Sequence, residues 1–240
     1  MKAMILAAGR GTRLRPLTES KPKALILVNN LPLIAHVINK LKGFGVSEII
    51  INVHHHAQQI IDYLVKENYF GIHIEISYEK TLLNTGGGLK RTGWFFTNDQ
   101  PFIVHNVDVL SNLDLHDMIK YHVDNNALAT LAVRHRKTSR YLLFDKENIL
   151  IGWKSLEKNE ERLTRCPQYE VSELSFMGIH VISPGIFSKF PAENCFSIID
   201  FYLNIAYQEK TIFAFHADSY FWLDMGRPEN FLKADKYFKK

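Results

Sequence analysis

Residues 1–28 read MKAMILAAGRGTRLRPLTESKPKALILV. Positions 2–8 form a short apolar run closed by Gly9, the pattern of a fully buried strand. The run breaks at once into Gly9-Arg10-Gly11-Thr12-Arg13. A basic segment with Arg15, Lys21 and Lys23 follows, and then the chain turns apolar again. In an open α/β sheet, ligands bind beyond the carboxyl ends of the strands. A glycine-rich loop there exposes backbone N–H groups that can cradle phosphate. The cations behind it would add charge-assisted hydrogen bonds to an anion. A basic surface turn uses the same residue types, so this stretch alone leaves both readings open. A dinucleotide fingerprint would need glycine where Leu14 stands, and no Gly-Lys-Ser/Thr follows at Walker A spacing.

The pattern downstream supports a sheet with helices around it. Residues 32–44 place Leu33, Ile34, Val37, Ile38 and Leu41 on one helical face, with Pro32 at the start and Gly45 as the stop. Strand patterns at 47–53, 72–78, 101–110 and 127–135 alternate with helical patterns at 57–67 and 114–124. This βαβ alternation predicts an α/β fold: three layers, Rossmann-like, with a mostly parallel mixed sheet. From about residue 140 the texture changes. YLLFD and ILIGW flank Lys146-Glu147-Asn148 as a hairpin, and 154–172 reads as polar and irregular. A strand at 174–182, a helix at 197–207, short strands in TIFAFHA and YFWLDM, and a helix at 228–238 complete the reading. One domain is expected, divided into an N-terminal part of about 1–135 and a C-terminal part of about 136–240.

The chain has 240 residues, 46% of them hydrophobic, ample for a core. A net charge of +4 is too weak to argue for nucleic acid and suits a small anionic substrate. The 29 aromatic residues fall mostly at core spacings, so a base-stacking surface is not indicated. Cys166 and Cys195 make no disulfide framework. No apolar stretch reaches membrane-spanning length, and the opening reads as a strand rather than a signal peptide, so a cytoplasmic location is expected.

Other motifs carry chemistry only in combination. LLNTGGGLK at 82–90 has three glycines before a helix, where a backbone can approach a ligand closely or simply flex. Asp108 and Asp224 each end an apolar strand. Together they could share one Mg²⁺ with phosphate oxygens, whereas an isolated aspartate more often caps a turn. His54, His55 and His56 are adjacent, so on an extended segment they point to opposite faces and suit a polar loop better than zinc.

MILAAGRGTRLRPLTESKPKAL resembles the signature of the sugar-1-phosphate nucleotidyltransferases, also called nucleotide-sugar pyrophosphorylases. The likeness continues in order through PLIAHVINKLKGFGVSEIIINV, LLNTGGGL, FIVHNVDVL and WLDMGRPENF. LNTGGGL and the short length look most like the bacterial N-acetylmuramate-1-phosphate uridylyltransferases. Mannose-1-phosphate guanylyltransferases and glucose-1-phosphate thymidylyltransferases are near relatives. No segment reads as the β-helix appended in some members.

The resemblance implies a Mg²⁺-dependent reaction of a nucleoside triphosphate, UTP favoured, with a sugar 1-phosphate, the part of about 1–135 binding the nucleotide and the part of about 136–240 the sugar. It matches Gly9, Gly11, Thr12 and Arg13 to the triphosphate loop, Arg13 to the leaving pyrophosphate, and Lys23 to the α-phosphate. It matches Asp108 and Asp224 to the metal pair. Ala7, Ala8, Glu79 and the 84–86 loop, with Thr85 and Gly86, match the base-recognition region, and Asn106 lies beside the nucleotide.

The chain departs from the family in three places. Val107 stands where glycine is usual, which would project a side chain near the metal strand. Asn84 replaces the usual glycine or glutamate. The Glu-Lys-Pro sugar segment is not recognisable in GWKSLEKNEERLTRCP, so the sugar site is not legible. A phosphocholine-type cytidylyltransferase and a non-catalytic regulatory subunit are the competing readings, and a homo-oligomer is compatible with all three.

Overall fold

The computed structural model describes residues 1–167 and 170–238. The opening apolar run is strand β1 (Lys2–Leu6). A two-residue ribbon, β2 (Leu27–Val28) with β3 (Leu31–Pro32), leads into helix α1 (Leu33–Gly43). All five apolar residues expected on its inner face are buried. Next come β4 (Glu48–Val53), α2 (Ala57–Lys66), β5 (His73–Tyr78) and α3 (Asn84–Arg91). The strand expected at 101–110 is two: β6 (Phe102–Asn106) ends, Val107 and Asp108 turn, and β7 (Val109–Ser111) begins. Helix α4 (Leu115–Asp124) starts where the Asp114 carboxylate accepts the N–H groups of His116 and Asp117.

Strand β8 (Ala129–Arg134) precedes the expected hairpin, β9 (Arg140–Phe144) with β10 (Leu150–Ser155). Strand β11 (Glu160–Leu163) lies in the stretch that reads as irregular. Its residues are all exposed, so no apolar alternation marks it, and pairing with β10 defines it. Positions 168 and 169 of that stretch lie outside the described residues. The long β12 (Ser172–Ile182), α5 (Ile198–Gln208), β13 (Ile212–His216), β14 (Trp222–Asp224) and α6 (Asn230–Phe238) complete the chain.

The large sheet runs β11-β10-β9-β12-β6-β1-β4-β5, and β8 and β13 join it through β12. The strands β6, β1, β4 and β5 are parallel, as are β8 and β13. Antiparallel pairing takes a larger share than the expected mostly parallel sheet. β12 runs antiparallel to β6, β8 and β9. The reason is the connection: hairpins reverse direction at each turn, whereas the helical crossovers of the first half restore it.

Alternation along the central strands builds the three layers. Ala3 and Ile5 of β1, Ile49 and Ile51 of β4, and Ile103 of β6 pack with α1, α2 and α4 on one face. Met4, Ile50, Phe102 and Val104 pack with α3 and α5 on the other. Strands apolar on both faces are what a sheet covered on both sides requires. No helix among the described residues is long and apolar enough to cross a membrane.

Candidate active site

The loop after β1 is folded. Gly11 has φ +64°, and a Cβ there would lie 2.9 Å from Thr18 Cγ2. Glycine is therefore required by the turn and by the packing. The Gly11 carbonyl accepts the N–H of Leu14 and the hydroxyl of Thr18, both at 2.9 Å. Leu14 is buried against Ile26, Val28 and Leu33, which pins the loop to α1. Arg13 is left with its side chain 60% exposed at the rim. Lys23, with its side chain 12% exposed, points inward and donates to Asp108 Oδ2.

Strand pairing explains how two distant aspartates meet. β7 and β14 form their own antiparallel pair, with Asp224 opposite Val109. The Met225 N–H donates to the Asp108 carbonyl at 2.7 Å. Arg13 Nη1 and Arg227 Nε lie 3.6 and 3.7 Å from Asp224 Oδ2. Gly226 marks the centre. A Cβ there would meet Arg13 Nη2 at 2.6 Å, Lys23 Nζ at 2.7 Å and Asp224 Oδ1 at 2.8 Å. Two carboxylates and their cations thus converge on a point that only a glycine leaves open. Two aspartates with room for phosphate and water fit Mg²⁺, which takes oxygen ligands and few carboxylates.

A cavity of about 510 Å³ opens beside this point. Ala7, Ala8, Gly9, Gly11, Thr12, Arg13, Lys23, Glu79, Thr85, Asn106 and Asp108 all line it. Asp224 borders an adjoining depression together with Arg13 and Gly226. Gly86 does not face the cavity: its N–H donates to the Phe196 carbonyl at 3.0 Å, and the Phe196 ring fills the space a Cβ would need.

Asn84 of the expected 84–86 loop lines it too, and two further lining residues, Asn52 and Ser197, were not singled out from sequence. Asn52 braces the wall. It accepts the Ala7 N–H at 2.8 Å and donates to Glu79 Oε1 at 2.7 Å. Glu79 Oε2 in turn accepts the Leu83 N–H at 3.0 Å. Both oxygens of this 1%-exposed carboxylate are therefore engaged within the protein. The one signal for Asn52 was an amide in the otherwise apolar run IIINV.

The remaining expectations resolve differently. The triple glycine lies inside α3, not in a loop before a helix. A Cβ on Gly88 would sit 2.8 Å from Asn52 Nδ2 and 2.9 Å from Glu79 Oε1, so Gly88 lets α3 press against the brace, while Gly86 and Gly87 make room for Phe196 and the Asn194 carbonyl. Val107 is 4% exposed and packs with the core, and it also lines the first cavity beside Asp108. His54 Nδ1 is 2.8 Å from the Glu79 carbonyl and His56 Nε2 is 3.0 Å from the Glu19 carbonyl, so the triplet is spent on separate loop contacts. Among the described residues, the group of three His, Cys, Asp or Glu whose ligand atoms lie within 4.8 Å of one another is exposed His135, His216 and Asp218.

Residues 2–240 match the nucleotidyl transferase family. A mannose-1-phosphate guanyltransferase beta-B of Xenopus laevis is 32% identical over 237 residues, covering 97% of this chain and 63% of the relative. The mannose-1-phosphate guanylyltransferase catalytic subunit beta of Dictyostelium discoideum is 33% identical over 245 residues, with coverage of 97% and 63%. The chain thus spans about 63% of the length of these relatives. Among solved structures, HddC from Yersinia pseudotuberculosis complexed with GMP-PN superposes with a TM-score of 0.78 at 23% identity, covering 99% of both chains. A glucose-1-phosphate thymidylyltransferase-like protein from Bacillus anthracis gives 0.81 at 20% identity, covering 99% of this chain and 94% of its own. These two likenesses establish the fold.

Proposed function

The chain belongs to the nucleotidyl transferase family, and from that premise we propose that it transfers a nucleotidyl group from a nucleoside triphosphate to a sugar 1-phosphate, releasing pyrophosphate. The observation that carries this reading is the convergence of Arg13, Lys23, Asp108 and Asp224 on the open point at Gly226.

The acceptor's phosphate oxygen is a nucleophile at neutral pH, so no general base is needed. The obstacle is bringing two anions together, and catalysis is positioning plus charge neutralisation. Asp108 and Asp224 would hold Mg²⁺, which when bound supplies Lewis-acid neutralisation of phosphate oxygens. Lys23, fixed at the inner end, holds the α-phosphate. Arg13, exposed at the rim, follows the departing pyrophosphate. The attack is in line and forms no covalent bond to the enzyme.

The expectation of UTP gains no support from the relatives, which are named as guanyltransferases. GTP with mannose 1-phosphate is therefore the first pair to try. Arg13, Lys23, Asp108 and Asp224 are all present, which supports catalysis over a non-catalytic role, while Val107 at the cavity wall is the feature that favours the latter. The deciding experiment is pyrophosphate release with Mg²⁺, five nucleoside triphosphates and a panel of sugar 1-phosphates. Release with one pair is expected, and no release with any pair would leave only a nucleotide-binding role.

A further inference from the structure

A second cavity, of about 580 Å³, shares Ser197 with the first and adjoins the depression holding Arg13 and Asp224, so it continues the candidate active site. Arg136 lines it. The guanidinium lies 4.7 Å from the Trp222 ring centroid, and Nη2 donates at 2.7 Å to the hydroxyl of Ser175. Among the described residues no carboxylate pairs with Arg136, and its buried Nε has no hydrogen-bond partner. His135, one residue earlier, belongs to a different group. It stands with His216 and Asp218, all three exposed, and nothing in nucleotidyl transfer uses them.

Paired strands build this group. β13 runs parallel to β8 with His216 opposite Val133. The Ala217 N–H donates to the Val133 carbonyl at 2.8 Å. A side chain makes the next contact: Asp218 Oδ1 accepts the His135 N–H at 2.7 Å, and Oδ2 lies 3.2 Å from His135 Nδ1. His216 Nε2 lies 2.7 Å from Asn148 Oδ1, in the turn between β9 and β10. An amide oxygen only accepts, so Nε2 carries the proton and Nδ1 keeps the lone pair that a metal needs. Asn148 is fixed in turn. Its N–H donates to the Asp145 carbonyl at 3.0 Å, and its carbonyl accepts the Ala214 N–H at 2.8 Å. A hydrogen bond at the other ring nitrogen is the usual way in which a ligating imidazole is oriented.

We propose that His135, His216 and Asp218 form a site for a transition-metal dication of the Zn²⁺ type, with Asn148 orienting His216. The distances suit it. Ligands at about 2.0–2.1 Å on a tetrahedral ion stand about 3.3 Å apart, and His135 Nδ1 and Asp218 Oδ2 are already 3.2 Å apart. The ion takes the place of the proton between them, and that proton moves to Nε2 of His135. The ligand atoms of all three residues lie within 4.8 Å of one another, and rotation of the exposed His216 ring closes the remainder. The His135 and Asp218 side chains are 68% and 42% exposed, so water reaches the fourth position. Two imidazoles and one carboxylate favour Zn²⁺ over Mg²⁺, which takes oxygen ligands. Bound metal ties the end of β8 to the turn after β13. It stabilises the folded chain, because the unfolded chain lacks the assembled site. The inference is independent of the transfer reading.

The test is calorimetric titration of the full chain with Zn²⁺ in excess Mg²⁺, which competes for the oxygen ligands at Asp108 and Asp224. The wild type should show a Zn²⁺-binding step, and Zn²⁺ should raise its melting temperature. Co²⁺ in the same site should give the visible absorption of a four-coordinate ion. Outer partners of metal ligands are worth about 10- to 100-fold in affinity. Asn148→Ala should therefore weaken the step about tenfold, and His135→Ala, His216→Ala and Asp218→Asn should each weaken it more than about a hundredfold. His55→Ala, in the other histidine group, should leave it unchanged. Melting without metal checks that each variant folds; should His216→Ala not fold, His135→Ala and Asn148→Ala decide. A wild type without a Zn²⁺ step overturns the proposal. So does a step that survives in both histidine variants, which would put the ion elsewhere, and so does its loss in His55→Ala, which would move it to the 54–56 loop. Wild-type affinity in Asn148→Ala overturns the orienting role of Asn148.

Discussion

At the first cavity Lys23 already holds Asp108 and Arg13 faces Asp224, whereas at the second Arg136 sits half-buried without an acid. The two arrangements differ in what they offer: the first holds both signs of charge, as the proposed transfer from a triphosphate with its metal would require, and the second offers a cation without an acid. Removing Lys23 therefore leaves Asp108 unpaired, whereas removing Arg13 leaves Asp224 with Arg227, and removing Arg136 leaves no carboxylate unpaired.

The largest effect is expected from Asp108→Asn and Asp224→Asn. Each keeps size and removes the charge that would hold the metal, so turnover should fall by about a thousandfold while circular dichroism stays unchanged. Near-normal pyrophosphate release from either folded variant would abolish the shared-metal account. Arg13→Ala and Lys23→Ala come next, each reducing turnover by about a hundredfold. They should differ in stability. Arg13 is largely exposed and its loss should be neutral, whereas loss of Lys23 leaves a shielded carboxylate unpaired and should cost about 1–3 kcal/mol in urea unfolding. Equal stabilities would mean that the inner pair is no more shielded than the outer one.

Gly88→Ala tests the wall between α3 and the brace. Its Cβ would enter the space beside Asn52 and Glu79, and we expect a loss of about 1–3 kcal/mol together with weaker nucleotide binding. A variant as stable as wild type would show that α3 can shift without disturbing the cavity.

The smallest effect concerns pH and the strand behind the second cavity. β12 carries Ser175, which holds Arg136, and also His180. Burial lowers His180 and His105 to a pKa of about 3 and His122 to about 4, with Lys40 adding to the shift at His105. Unfolded histidine titrates near pH ~6.5. Below that pH the unfolded chain binds more protons than the folded one, so stability falls with acidification until the folded pKa values are reached. The limit is about 1.4 kcal/mol per pH unit for each group. Urea midpoints should be flat just above pH ~6.5 as far as these groups are concerned and should drop below it. No drop down to pH ~5 would mean that the buried rings take up protons in the folded state.

The parallel half of the sheet was legible because its central strands are apolar on both faces, β5 alternates, and its helices α1 and α2 repeat at 3.6 residues. The loop after β1 was legible because its glycines and cations lie close together in the chain. Asn52 was not, since a single amide in IIINV looks like a lapse in a strand until Ala7 and Glu79 are found on either side of it. Strand β11 escaped notice because exposed Glu160-Glu161-Arg162-Leu163 carries no pattern except its pairing with β10.

Sequence by itself determined the α/β class, the glycine-and-cation loop after β1 and the identity of the two aspartates, because periodicity and local spacing are written in neighbouring residues. Tertiary structure decided that Asp108 and Asp224 meet, through the β7–β14 pairing. It decided that the triple glycine packs a helix rather than loosening a loop. It also left Arg136 without an acid. Which charges are paired depends on distance in space, and residues far apart in the chain acquire that distance only when the sheet closes over its core.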